Sequence, residues 1–130
     1  MFGLPKLKNT LAVGQLGEQL ALKHLKQHGL KLIEKNVRSP YGEIDLIMKE
    51  NDEWVFVEVR YRQSQQFGGG LESVTPAKQR KIIKTAEHYI QLHHKTHFDA
   101  CRFDIIELSG KLSHPADHAD INWVKDAFQT

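Results

Sequence analysis

Gly42-Glu43-Ile44-Asp45-Leu46-Ile47-Met48, then Lys49-Glu50-Asn51-Asp52-Glu53, then Trp54-Val55-Phe56-Val57-Glu58-Val59-Arg60: this stretch decides how the chain folds. Both flanks are rich in β-branched and aromatic residues, and the polar centre holds turn formers, so the whole reads as two antiparallel strands. Period-two alternation puts Ile44, Leu46 and Met48 on one face of the first strand and Glu43, Asp45 and Ile47 on the other. In the second strand Val55, Val57 and Val59 share a face, and Phe56, Glu58 and Arg60 share the opposite one. A hairpin symmetric about Asn51-Asp52 pairs Ile44 with Val59, Leu46 with Val57 and Ile47 with Phe56, and sets Asp45 opposite Glu58. The apolar faces agree in that register, where a slip of one residue would oppose them.

Directly opposed side chains have Cβ atoms roughly 4.5–5.5 Å apart, and like charges so placed destabilise a sheet. Two carboxylates among Leu46, Val57 and Val59 therefore need a cation, a shared proton or a bound metal. Mg²⁺ suits the pair, because it takes oxygen ligands at about 2.0–2.1 Å, typically one or two carboxylates completed by waters. Such an ion activates water and neutralises charge developing on a phosphate in transfer. The competing reading is a structural ion pair of Glu58 with Arg60 or another cation.

Outward from the hairpin, Leu11 to His28 has helical periodicity, with Val13, Leu16, Gly17, Leu20 and Ala21 on one face and Leu25 at its border. Gly14 and Gly17 would allow close approach to a neighbour, and Gly29 supplies a C-terminal stop. A strand over Leu30 to Val37 and a turn at Ser39-Pro40-Tyr41-Gly42 lead into the hairpin. Beyond it, Gln63 to Gly70 is polar and ends in three glycines, the signature of a mobile loop. Thr75-Pro76 then marks an N-cap followed by proline at the first helical position. That helix runs to about His94 with Ile82, Ile83, Ala86, Tyr89 and Ile90 inward; a strand over Arg102 to Leu108 follows, and Ile121 to Val124 suits one more edge strand. The order α-β-β-β-α-β describes an α/β domain, a mixed central sheet flanked by helices. One domain spans 1–130, with an N-terminal arm (1–10), a mobile loop (62–74) and a C-terminal loop (109–120).

A chain of 130 residues, 40% hydrophobic and 26% charged, is of a size to bury one core and is not disordered. Eighteen Lys and Arg against 16 Asp and Glu leave a formal charge of +2, so any polyanion surface must come from local clustering. The single Cys101 excludes an internal disulfide and suits a reducing, cytoplasmic compartment. No run approaches the ~20 apolar residues of a membrane span.

Gly17-Glu18, Gly42 to Ile47, Val57-Glu58-Val59-Arg60 and Ser73-Val74-Thr75-Pro76-Ala77-Lys78-Gln79 together resemble the YraN-type family of uncharacterised bacterial proteins, over about residues 10 to 128. The resemblance places the chain in the PD-(D/E)xK nuclease-like superfamily, with restriction endonucleases and archaeal Holliday junction resolvases. It implies a restriction endonuclease-like core and a Mg²⁺- or Mn²⁺-dependent endonuclease acting on DNA or RNA, branched or single-stranded substrates included. By position, Asp45 resembles the strand aspartate, Glu58 the second metal-binding acid, and Glu18 an acid that some members carry on the first helix. Two positions depart from the pattern. Ile44 stands where the superfamily name has proline, which offers a metal nothing. Arg60 stands where lysine is usual, and arginine does not lose a proton, although it can grip a phosphate bidentately. Glu43 is a second partner open to Arg60. Lys78 can supply the missing ammonium, and Gln79, facing the sheet from the same helical turn, can hold a water or phosphate. Junction-cutting relatives act as dimers, which makes a homodimer an expectation by analogy.

Arg80, Lys81 and Lys84 fall on the outer side of the second helix, Lys6 and Lys8 on the arm, and Arg60, Tyr61 and Arg62 lead into the glycine-rich loop with Phe67. Cations with aromatics beside an acidic centre suit a nucleic-acid backbone, with Arg62, Lys78, Lys81 and Lys84 as the contacts; an ordinary solvated face is the alternative. Gly68-Gly69-Gly70 lacks the Lys-Ser/Thr ending of a P-loop, which speaks against nucleotide hydrolysis. His93, His94, His97, His114 and His118 lack the cysteines of a zinc module. Cys101 reads as a packing residue at a strand edge. Two further functions compete with cleavage: a non-catalytic nucleic-acid-binding module that keeps the nuclease fold, and a protein adaptor anchored by Phe67, Trp123 and Phe128.

Overall fold

In the computed structural model the elements run helix α1 (Thr10–Gln27), strands β1 (Lys31–Ser39), β2 (Gly42–Glu50) and β3 (Glu53–Arg62), helix α2 (Pro76–His93), then strands β4 (Cys101–Ser109) and β5 (Asp120–Phe128). The structure describes residues 10–62, 74–93, 100–110 and 119–130. The expected arm, apart from Thr10, and most of both expected loops lie outside the described residues. So do Phe67, Gly68 to Gly70, His94, His97, His114 and His118.

The five strands form one sheet in sequence order, β1-β2-β3-β4-β5. Every neighbouring pair is antiparallel except β3 and β4, which run parallel because α2 carries the chain back across the sheet. The mixed sheet lies between the two helices, as the order of elements predicts. β5 extends well beyond the expected Ile121 to Val124.

Local chemistry explains the boundaries. Gly29 closes α1 at φ 91°, where Leu30 N–H donates to Leu25 O and Gly29 N–H to Lys26 O, the glycine-terminated helix end that left-handed backbone allows. Thr75 caps α2, its Oγ1 accepting from Lys78 N–H at 3.3 Å, with Pro76 in the first helical position. Between β2 and β3 the two-residue turn begins with Asn51 at φ 55°, and Leu46↔Val57, Ile47↔Phe56 and Met48↔Val55 pair in the register that apolar alternation demands.

Each face of the sheet has its own core. Beneath α1, Ala21, Leu25 and Leu30 pack on Leu46, Met48, Val55, Val57, Ile106 and Leu108. Gly17 lets the helix come close, since a Cβ there would stand 3.4 Å from Leu108 Cδ1; Gly14, exposed with nothing within 4 Å, has no such role, contrary to expectation. Beneath α2, Ile82, Ala86, Tyr89 and Ile90 cover Ile44, Ile47, Phe56 and Ile105, with Phe103 stacked between Phe56 and Phe128 at 5.4 and 5.1 Å.

Ile44 corrects the alternation read from sequence. It lies in the α2-side core with Val37, while Leu46 and Met48 lie in the α1-side core. The cause is local to Asn36, whose left-handed backbone (φ 53°) breaks the pleat of β1. Glu34, which accepts from Tyr89 Oη at 3.1 Å, and Val37 both meet the α2 side although three residues apart. Asn36 and Asp45 stand between the paired residues Lys35↔Leu46 and Val37↔Ile44, so both strands change face at the same step.

Candidate active site

Asp45 sits where the sheet forks. The ladder between β2 and β3 ends at Leu46↔Val57, whereas β2 goes on pairing with β1 to Gly42 and β3 with β4 to Arg62. Asp45 and Glu58 are therefore not ladder partners, as a symmetric hairpin would have made them. Instead the Asp45 carboxylate fills the opening: Oδ2 accepts from Val59 N–H at 2.7 Å, replacing the backbone acceptor lost when the strands part. The two acid side chains meet and hydrogen-bond to each other.

Their electrostatics follow from that contact. Burial, then the Asp45 charge, then the shared hydrogen bond push Glu58 up to about 8 from an ordinary 4.5, against the pull of Arg60 and Lys78. Burial also raises Asp45, although the Val59 N–H and the bond with Glu58 oppose the rise. A carboxyl and a carboxylate sharing one proton is what two buried acids do when no cation separates them. Glu58 thus has Asp45, not Arg60, as its hydrogen-bond partner, and the structural ion pair that sequence leaves open is not what forms. Arg60 is half-buried and acts on both acids through its charge. The Glu43 alternative also fails, for Glu43 pairs with Arg38 at 3.4 Å on the exposed side.

Glu18 stands half-buried on α1, raised by burial and by the Asp45 charge, with a side-chain hydrogen bond to Asn36 drawing it back. A polar cavity of about 330 Å³ beside it is lined by Gln15, Gln19, Lys35, Asn36 and Leu46. Sequence reasoning missed Asn36, although a lone asparagine inside a strand, tolerant of left-handed backbone, is the available signal. Glu18 comes into electrostatic reach of Asp45 without completing a cluster. Among the described residues no three His, Cys, Asp or Glu side chains are grouped to hold an ion.

The other expected residues distribute as follows. Lys78 is exposed on the first turn of α2 and its charge lowers Glu58. Gln79 does not present its amide to the site: Nε2 donates to Val74 O at 3.0 Å, tying down the residue before the helix. Arg62 lies 3.6 Å from Glu107 Oε2, so its guanidinium already has a buried acid beside it. Lys81 and Lys84 are exposed on α2. Cys101 is half-buried against the α2-side core, and burial pushes its thiol up to about 11.

Sequence gave no hint of Asp104. It is fully buried within β4, opposite Val57 in the ladder, accepting from Arg102 Nε at 3.0 Å, Trp123 Nε1 at 2.9 Å and Asp126 N–H at 2.9 Å, while Arg102 also reaches Glu50 and Glu53. This network joins β4, β5 and the β2–β3 turn. Of the expected adaptor anchors, Trp123 is half-exposed with its Nε1 engaged in this network, and Phe128 is buried in the core.

The chain matches the family described as "Uncharacterised protein family UPF0102" over residues 17–108, a span from α1 to β4 that contains all three acids. It belongs to the UPF0102 family. That family, the YraN type, falls within the restriction endonuclease-like superfamily, in keeping with the fold. A UPF0102 protein of Shewanella loihica is 47% identical over 119 residues, covering 91% of this chain and 95% of the relative. One from Stutzerimonas stutzeri is 43% identical over 124 residues, covering 95% of this chain and all (100%) of its own. Among solved structures, Pyrococcus furiosus SfsA in complex with Ca²⁺ aligns with a TM-score of 0.38 at 13% identity, over 95% of this chain and 66% of that one. No helix among the described residues of this UPF0102 chain is long and apolar enough to cross a membrane.

Proposed function

We propose that this protein hydrolyses phosphodiester bonds in nucleic acid at Asp45 and Glu58, with a divalent cation, Mg²⁺ or Mn²⁺, held between them. The observation that carries the reading is the meeting of two half-buried carboxylic acids, Asp45 and Glu58, at a fork in the sheet. Such a pair is stable without a cation only by staying half-neutral, and a hard cation takes the proton's place with both oxygens already convergent. Two carboxylates fit Mg²⁺, which typically takes one or two of them and completes its shell with waters.

When bound, the ion supplies Lewis acidity and charge neutralisation at the phosphate. The protein's own residues do the rest. Val59 N–H holds the Asp45 carboxylate through a 2.7 Å hydrogen bond, which reduces the side-chain freedom left to lose on binding. Arg60, permanently charged, steadies the negative phosphate, and Lys78 approaches Glu58 from α2 as a second cation. Glu18, near Asp45, is available to an outer water through its free lone pairs.

Cleavage of labelled DNA and RNA, single-stranded, duplex and branched, in Mg²⁺ and in Mn²⁺ tests the proposal. Wild type is expected to cut, and Asp45→Asn and Glu58→Gln to cut at least about 100-fold more slowly, the usual scale for losing a preorganised electrostatic group. Equal cutting by the variants refutes it. Arg60 favours a second reading, a module that binds nucleic acid without cutting it, since no lysine occupies that position to exchange a proton. Salt-sensitive binding with no cleavage in either metal would select that reading.

A further inference from the structure

Tyr41 is an exposed aromatic on a rigid mount. The residue is 48% exposed at the tip of the β1–β2 turn. Ser39 Oγ accepts its backbone N–H at 3.0 Å and lies 2.9 Å from the buried hydroxyl of Thr85, which itself donates to Lys81 O at 2.8 Å. Gly42, at φ +155°, packs against the same helix, where a Cβ would stand 3.4 Å from Lys81 Cβ. The turn is thus pinned to the middle of α2, and the ring is held out from the core without being loose.

A lysine and a histidine flank it. Lys84 Nζ lies 5.7 Å from the ring centre and His88 sits edge-on at 6.1 Å. Lys78, Lys81 and Lys84 climb α2 three residues apart, covering about 9 Å of axis. The first acts on Glu58, the second touches the turn, and the third covers Tyr41. Four steps of extended chain, about 13 Å, lead from Tyr41 to Asp45. Glu43 and Glu87 are the acids nearby, and Arg38 offsets Glu43.

A positive track that starts at an acid pair and ends on an exposed ring matches one occupant, a nucleic-acid strand whose bases are free to stack. Duplex bases are already stacked on their neighbours and leave nothing for a tyrosine to cover. The geometry points to Tyr41 as a base-stacking platform that selects single-stranded or locally unpaired nucleic acid, a few nucleotides from the acid pair. This rests on the proposed phosphodiester reading for its direction, and it deepens that reading by naming the substrate class.

The test is equilibrium binding in EDTA, by fluorescence anisotropy, of a labelled oligothymidylate and of its duplex with oligoadenylate. Because no metal is present, cleavage plays no part. Tyr41→Ala is expected to weaken single-strand binding about 5- to 150-fold, with Tyr41→Trp restoring it. Duplex affinity and the salt slope stay unchanged, since no charge is lost. Melting temperature, read in parallel, should match wild type for an exposed ring. Three results each overturn the inference: equal loss on both strands, an unchanged single-strand affinity, or a wild type that binds no single strand at low salt. If the protein cuts nucleic acid while Tyr41→Ala binds normally, the inference falls and the nuclease reading stands. Tyrosine-dependent single-strand binding with no cleavage in Mg²⁺ or Mn²⁺ is the converse: the inference stands and the nuclease reading falls.

Discussion

Replacing Glu58 with glutamine should stabilise the metal-free protein at alkaline pH, the reverse of what happens when a structural ion pair loses one member. Glu58 ionises near 8 in the fold against an ordinary 4.5. Between those values the native state keeps a proton that the unfolded chain has released. Stability is therefore fully present below the lower value and is lost as pH rises through the upper one. At about 1.36 kcal/mol per pH unit the loss near pH 7 has a ceiling of about 3 kcal/mol, and sharing of the proton with Asp45 brings the expected effect to about 1–3 kcal/mol. Glutamine keeps the shape and offers Asp45 an N–H donor without ever ionising. In a chain of this length the gain corresponds to roughly 3–12 °C in Tm. Thermal unfolding followed by circular dichroism in EDTA, near pH 5 and near pH 8, measures it. Wild type should lose more stability than Glu58→Gln between the two conditions, and Mg²⁺ added near pH 8 should raise the wild-type Tm alone. A Glu58→Gln protein that melts below wild type near pH 8 would show that the carboxylate serves the fold through Arg60, and the reasoning from two opposed acids would be wrong.

Other consequences are open to measurement. Asp104→Ala removes the acceptor of both Trp123 Nε1 and Asp126 N–H, while Arg102 keeps Glu50 and Glu53, so urea unfolding should show a loss of about 2–4 kcal/mol. Phe103→Ala empties the centre of the Phe56–Phe103–Phe128 stack and should destabilise by a similar ~3–5 kcal/mol in the same assay. Lys78→Ala should weaken nucleic-acid binding uniformly across sequences and reduce the magnitude of the salt slope by about 1, read by anisotropy titrations at several salt concentrations. With its thiol pushed up to about 11 by burial and nearby acids, Cys101 should react with iodoacetamide near neutral pH far more slowly than a free cysteine, measured by mass spectrometry.

Much of the site is legible before any coordinates. The register of Leu46, Ile47 and Met48 against Val57, Phe56 and Val55 follows from alternation and a two-residue turn, because both are local properties of one hairpin. Thr75-Pro76 announces α2, and Gly29 the end of α1, for equally local reasons. Residue identity alone thus determined the two helices, the strands and the nearness of Asp45 to Glu58, although the cross-strand pairing it predicts for them does not form. Tertiary structure decided what depends on distant partners. It opened the fork at Asp45, because β2 follows β1 while β3 follows β4, a strand more than forty positions away along the chain. It turned Ile44 to the α2 side through the left-handed Asn36 across the ladder, and it buried Asp104 in a network that ties β4 to β5 and to the β2–β3 turn. Periodicity reports only which way a side chain points along its own strand. Which neighbour waits there is set when the sheet assembles.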